Sequence, residues 1–385
     1  MKTLAGILVI LLTMSISAQA QSKLSYSQGL GFETNIFKNP SSFLTKTDSL
    51  ERDDMYQNGV FSYHRILFST KYKKDNLYLR FKSSASAQLF PSVEDAHAYR
   101  LSLELPMRYK LDRGKYFHIS PKYARYQQNG LDLSSGAIRT PLSYASFTLP
   151  IDYEFDQANS EYKTGMFYKY KNYPSATDDI LFYHSVGAHI SKENKFELAK
   201  NEYRGLLDIE ASLRRYQDID FPTATIDEET DLDEDFWDEL EGTERIRNWA
   251  YLQASYRLKR RFENGYWEIP VRSFVRADFS TRKYGYLQHD LGFNLSHEST
   301  NAKWTIKTKL AHRYHFKLMN EDSASIQYLY AGFDLRYEAY VSKKLSLYAN
   351  IEVIKRFSTQ QKQSTLAFRE YYNSQLSVGL RYSLF

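Results

Sequence analysis

Basic side chains recur at even spacing along several stretches of this sequence. Arg80 and Lys82 are one such pair, Arg100 and Arg108 another, and Arg272 with Arg276 and Lys307 with Lys309 complete the set. In an extended chain, even spacing places both members on one face, where their fields add and attract small anions. The opposite charge is concentrated elsewhere. Residues 218–241 carry twelve acids and no base, although the whole chain has a formal charge of +5. Asp231, Asp233 and Asp235 match the first spacings of a calcium loop, but Phe236 stands where glycine is required, and no metal site is expected. Phe236 and Trp237 give the run an apolar anchor. The stretch from Asp231 to Trp237 is therefore a candidate constriction folding onto a basic wall, with a solvated acidic loop as the alternative.

Catalytic chemistry finds little support. There is no cysteine, and the nine histidines are scattered. Tyr183-His184-Ser185 and His289-Asp290 are adjacent in extended chain, so their side chains point apart. No nucleophile elbow, HExxH helix or phosphate loop occurs. The expectation is a protein that is not an enzyme, with no cofactor, no metal and no nucleic-acid partner.

The elements that would position the basic residues are strands. In residues 76–90, Leu77, Leu79, Phe81, Ala85, Ala87 and Leu89 alternate with Tyr78, Arg80, Lys82, Ser84, Ser86 and Gln88. The same two-residue period marks strands over 23–35, 58–72, 76–90, 99–111, 115–127, 142–155, 161–171, 180–191, 202–217, 245–259, 266–280, 286–297, 302–316, 324–340, 344–357 and 368–385. That makes sixteen, with fourteen or eighteen as alternatives turning on 192–202, where Phe196-Glu197-Leu198-Ala199-Lys200 reads as a strand start or a helical turn. Short polar connectors alternate with long ones. Tyr and Phe together supply 57 residues while a quarter of the chain is charged, a mixture suited to a lipid-facing wall around a polar lumen. The fold class expected is all-β: a closed, antiparallel transmembrane β-barrel in up-and-down order.

The two ends fit that expectation. Lys2, the apolar run Leu4 to Ile16 and Ala18-Gln19-Ala20 read as a signal peptide over 1–20, leaving 21–385 as the barrel, with 218–244 its long acidic extracellular loop. At the other end Gly379-Leu-Arg-Tyr382-Ser-Leu384-Phe385 resembles the C-terminal signal of bacterial outer-membrane barrels, and the resemblance implies recognition by the barrel-assembly machinery.

Residues 29–40 add a second resemblance. Phe32, Glu33, Thr34, Asn35, Ile36 and Phe37 look like the first-strand pattern of a broad porin-like outer-membrane barrel family, which includes porins and barrels associated with surface-polysaccharide or surface-lipoprotein export. The same three polar residues, Glu33 to Asn35, equally suit a strand-end turn. The resemblance implies a cell outer-membrane protein with outer-membrane lipid and small solutes as partners.

The leading functional expectation is passive or substrate-selective passage of small anionic solutes or saccharides through a basic lumen, both termini being periplasmic. Oligomeric state is not legible. A structural, assembly or polysaccharide-export partner with a plugged lumen is the alternative, and a barrel enzyme acting on lipid the third reading. Deleting Phe385 should lower the yield of assembled barrel, measured as heat-modifiable mobility on a gel; undiminished yield would count against the terminal signal.

Overall fold

The computed structural model describes residues 21–36, 43–44, 49–50, 57–93, 96–128, 130–131, 138–139, 143–173, 181–216, 248–279, 285–320, 322–359 and 370–384. The expected signal peptide, Phe385 and the acidic loop with Asp231, Asp233, Asp235, Phe236 and Trp237 lie outside the described residues.

The main sheet has eighteen hydrogen-bonded segments, which are sixteen strands because two are interrupted at prolines. In chain order they are β1 (Gln21–Glu33), β2 (Gly59–Lys74), β3 (Leu77–Leu89), β4 (Ala98–Glu104 and Met107–Asp112), β5 (Lys115–Ile119 and Lys122–Gln127), β6 (Tyr144–Gln157), β7 (Ser160–Tyr173) and β8 (Leu181–Leu198). There follow β9 (Asn201–Tyr216), β10 (Asn248–Phe262), β11 (Gly265–Asp278), β12 (Tyr286–Glu298), β13 (Ala302–Met319), β14 (Ser325–Tyr340), β15 (Leu345–Ser358) and β16 (Tyr371–Ser383). Each pairs antiparallel with its chain neighbours, and β16 closes the sheet onto β1 from Ser25↔Ser383 to Glu33↔Gln375. No edge remains, as a wall surrounded by hydrocarbon requires.

Pro106 and Pro121 have no N–H to give, so the ladder lapses where each interrupts its strand. The register is nevertheless unchanged across the gap: Glu104↔Lys122 and Met107↔Ile119 belong to one alignment. Leu105 N–H donates to Pro121 O at 3.0 Å, and Arg80 N–H donates to Pro106 O at 2.9 Å. Continuous strands over 99–111 and 115–127 are thus corrected to strands broken at one residue pair each, with the inward and outward faces preserved.

The ambiguous stretch resolves as strand and turn. Phe196 to Leu198 ends β8, and Ala199 and Lys200 both take positive φ, 49° and 63°, in a two-residue hairpin. That backbone matches a type I′ turn, whose twist suits the flanking strands. Turns of two to four residues gather at this end of the barrel, together with both ends of the described chain, and the longer connections lie at the other.

Alternation sorts the side chains. Leu376, Val378, Leu380 and Tyr382 on β16 are 39–55% exposed on the outer wall, and Leu213, Leu252, Leu291 and Leu310 on other strands are exposed as well. Asp152, Glu154, Ser185, Gln288 and Glu338 face inward and are buried. Apolar outside and polar inside is the pattern of a membrane-spanning barrel of outer-membrane type.

Gly29 and Gly379 face each other across the seam. A Cβ on Gly379 would stand 2.2 Å from Gln28 O and 2.6 Å from Tyr348 Oη, while one on Gly29 would meet Val378 O at 2.4 Å. The pair leaves room for the Tyr348 ring to lie flat against the wall, an aromatic covering strand glycines. This gives Gly379 a packing role distinct from assembly recognition. Gly379→Val should destabilise the closed barrel by about 1–3 kcal/mol, the range for overpacking a fitted site. Urea unfolding of the reconstituted protein measures it, and an unchanged midpoint would show that the seam has slack.

Candidate functional site

The inward side chains fall into two zones. At the long-loop end a collar of cations and aromatic rings lines the wall. Arg214 on β9 lies 4.2 Å from the Tyr183 ring centroid on β8 and 4.4 Å from Tyr251 on β10. Arg276 on β11 lies between Trp249 on β10 and Tyr286 on β12, at 4.3 and 4.4 Å. Arg313 on β13 stacks at 4.3 Å on the other side of that tyrosine's position, and its Nε donates to Gln288 Oε1 at 2.9 Å. Arg356 on β15 lies 4.6 Å from Tyr371 on β16 and 5.4 Å from Tyr328 on β14.

From β9 to β16, then, arginines on odd strands alternate with aromatics on even ones. The theme extends to the earlier strands, where Lys171 Nζ on β7 sits 3.7 Å over Tyr144 on β6, and Arg100 on β4 lies 5.2 Å from Tyr126 on β5. His315 is buried between Tyr286 and Tyr328, with ring centroids 5.4 and 5.6 Å away. The collar-level carboxylates Asp278 and Glu33 are both buried.

Toward the short-turn end the cations meet carboxylates instead. Lys82 pairs with Glu104 at 3.0 Å, Arg381 with Glu338 at 2.8 Å and Lys163 with Asp152 at 2.7 Å. Arg108 pairs with Glu154 at 2.6 Å and also stacks on Tyr116, while His118 Nε2 reaches the same glutamate at 2.8 Å. His189 Nε2 lies 3.1 Å from Asp152. Arg272 and Lys309 both reach Asp290, Lys309 at 3.8 Å. Arg80 Nε donates to Ser69 Oγ at 3.0 Å, and Lys307 lies opposite Asp334 in the strand pairing.

The sequence-predicted cations therefore separate. Arg100 and Arg276 join the collar; Lys82, Arg108, Arg272 and Lys309 sit in ion pairs below it. Sequence reasoning missed Arg214, Arg356, Lys171 and the inward aromatics of the collar. A signal existed: Arg214, Arg276 and Arg356 each stand two residues before the loop-side end of their strand, and an inward aromatic opens the next.

The first-strand motif has become structural. Asn35 takes φ 47°, and its Nδ2 donates to Tyr372 O at 2.9 Å. Asn373 Nδ2 donates to Glu33 Oε1 at 3.0 Å and to Thr34 O at 2.5 Å, while Gln88 Nε2 donates to the other Glu33 oxygen at 2.9 Å. Beyond it Ile36 packs with Phe61, Phe90 and Ala96 in a small buried cluster. Glu33 to Asn35 is a strand-end turn that ties the seam together at the loop side.

One serine and histidine do meet on the outer wall. Ser273 Oγ lies 2.9 Å from His289 Nδ1, next to His312, whose Nε2 lies 2.8 Å from Gln327 Oε1. Among the described residues no carboxylate or amide is hydrogen-bonded to the other nitrogen of His289, so the base lacks the orienting group that a nucleophilic triad needs. No group of three or more metal-ligating side chains occurs among the described residues.

No protein-family model matches the chain, and no curated protein matches it in sequence. Several solved structures are similar at a distance. Acinetobacter baumannii OccAB1 is 8% identical at a TM-score of 0.46, covering 95% of this chain and 97% of that one. Pseudomonas aeruginosa OpdK with vanillate is 7% identical at 0.44, covering 95% and 99%. The siderophore receptor PirA from Acinetobacter baumannii is 7% identical at 0.41, covering 93% and 80%. The class is defined by the strand register and the sorted faces: a sixteen-stranded transmembrane β-barrel.

Asp152 is 4% exposed and holds two cationic partners. Asp152→Asn should cost about 1–3 kcal/mol, the desolvation scale of the groups left without their acceptor, discounted because Lys163 reaches water. Thermal unfolding in detergent micelles checks this, and a stability equal to the native protein would mean that water replaces the pair without loss.

Proposed function

We propose that the barrel is an outer-membrane channel for small anionic solutes, with the loop-side collar as its selective entrance. The observation carrying this reading is the alternation of Arg214, Arg276, Arg313 and Arg356 with Tyr183, Trp249, Tyr286, Tyr328 and Tyr371 around one level of the lumen. Stacking engages the faces of a guanidinium, whereas its N–H donors lie in its plane and are suited to carboxylate, sulfate or phosphate oxygens. The rings offer flat apolar surface beside each cation, so a solute with an anionic group and a planar or sugar-like body meets both. Below the collar, ion pairs reduce the net field, which favours release over trapping; conduction needs binding sites weak enough to leave. On this reading the long loops and the collar face outward from the cell, both termini are periplasmic, and the protein carries no catalytic step.

Planar-bilayer recordings in a salt gradient test it. The native channel should give an anion-selective reversal potential. Arg276→Gln with Arg313→Gln should reduce that preference severalfold, since each charge is worth about 0.8 kcal/mol to an anion about 5 Å away in a water-like dielectric. Cation selectivity in the native channel would overturn the reading. A folded barrel with no conductance would favour the partner with a plugged lumen.

A further inference from the structure

The outer wall carries a feature that transport through the lumen does not use. On the loop-side half of β1 to β5 a groove of about 390 Å³ runs between Tyr26 and His64 on one side and Tyr99, Leu101 and Arg125 on the other. Its floor is Ala85 and Ala87 on β3, whose short side chains leave the depression between larger neighbours. Tyr26 Oη and His64 Nδ1, 2.9 Å apart, satisfy each other along one flank. The lining is otherwise mostly apolar.

Arg125 stands at the opposite flank, two residues from the loop-side end of β5, paired across the sheet with Leu101 and Ala145. Both neighbours are apolar, and among the described residues Arg125 has no hydrogen bond, ion pair or ring contact. A lipid-facing guanidinium is costly in hydrocarbon and tolerable near the interface, where it finds water or an anion. The surrounding outward charge is mostly positive. By strand register, the outward charged side chains of the described strands are Lys74, Asp112, Lys115, Arg125, Lys192, Arg215, Arg260 and Lys355; Lys115 has Asp112 at 3.9 Å and Lys355 has Glu370 at 3.3 Å.

We propose that this groove binds one anionic membrane lipid with a phosphate-bearing headgroup, an acyl chain lying on Ala85 and Ala87 and the phosphate on Arg125. A long, open, apolar trough suits an acyl chain. The outward cation at its interfacial end matches an anionic headgroup in charge and depth, and no carboxylate lines the groove. A zwitterionic lipid would bring its own cation against Arg125 and lose much of the attraction.

The test uses the full-length protein in phosphatidylcholine nanodiscs with and without diphosphoryl lipid A, followed by native mass spectrometry after detergent release. One lipid A should stay bound per native chain. Arg125→Gln should hold it about tenfold less well, the scale of one lost charge-assisted hydrogen bond. Ala87→Phe should fill the groove and weaken it likewise. Arg215→Gln, which removes an outward cation away from the groove, should retain it. Heat-modifiable mobility confirms that each variant is folded. Equal retention in Arg125→Gln and Ala87→Phe would overturn the proposal, as would an equal loss in Arg215→Gln, equal retention of phosphatidylcholine, or a native dimer that Ala87→Phe dissociates.

Discussion

Everything in this molecule depends on closing the ladder between its first and last strands. Inside a bilayer an unpaired backbone N–H or C=O costs several kcal/mol, so a sheet survives there only without edges. The closure runs from Leu384 N–H on Leu24 O at one end to Thr34 N–H on Ser374 O at the other, both near 2.9 Å. Its middle needs Gly29 opposite Gly379, because the approach of the two backbones beneath Tyr348 leaves no room for a Cβ. Its loop-side end needs the side-chain knot of Glu33, Asn35 and Asn373. The first-strand motif and the last strand, far apart in the chain, are two halves of one joint.

Closure also sets what the interior must do. A wall with one face in hydrocarbon pushes most charged residues of its strands toward the lumen, and those charges must then be satisfied by one another or by solvent. Near the short turns they pair as acid with base. At the loop-side mouth most of the cations lie on aromatic rings as well, where a guanidinium gains attraction and a fixed orientation while its N–H donors stay in its own plane.

How much of this was legible follows from what kind of information each feature needs. Face assignment requires only a period of two, so the strands, the inward Arg276 and the outward Leu376 were readable residue by residue. Pro106 and Pro121 fall within that pattern without disturbing it, because the chain keeps its register through the missing hydrogen bonds; the interruption was therefore invisible to periodicity. The turn at Ala199-Lys200 was ambiguous because neither residue is the Gly or Asn that positive φ ordinarily selects. Partners are a different matter. That Arg276 meets Trp249 and Tyr286 while Arg272 meets Asp290 depends on cross-strand register, which no single strand records. Inward aromatics were missed for a related reason: a barrel's tyrosines are expected in the lipid interface, and only the alternation phase tells Tyr286 from Tyr314.

The two faces of the wall obey opposite rules for the same side chain, and that contrast gives Arg125 its meaning. Inside, arginines such as Arg108 and Arg381 have an acid within reach, supplied by a neighbouring strand. Outside, β5 turns a guanidinium toward lipid between Leu101 and Ala145, with no partner among the described residues. The outward charges are mostly cations, and two of them have an acid at hand: Lys115 lies 3.9 Å from Asp112 and Lys355 lies 3.3 Å from Glu370. Arg125 has none among the described residues. A cation in that position near the headgroups draws its counter-charge from water or from an anionic lipid, and on the proposed reading the groove beside it is where that attraction gains shape.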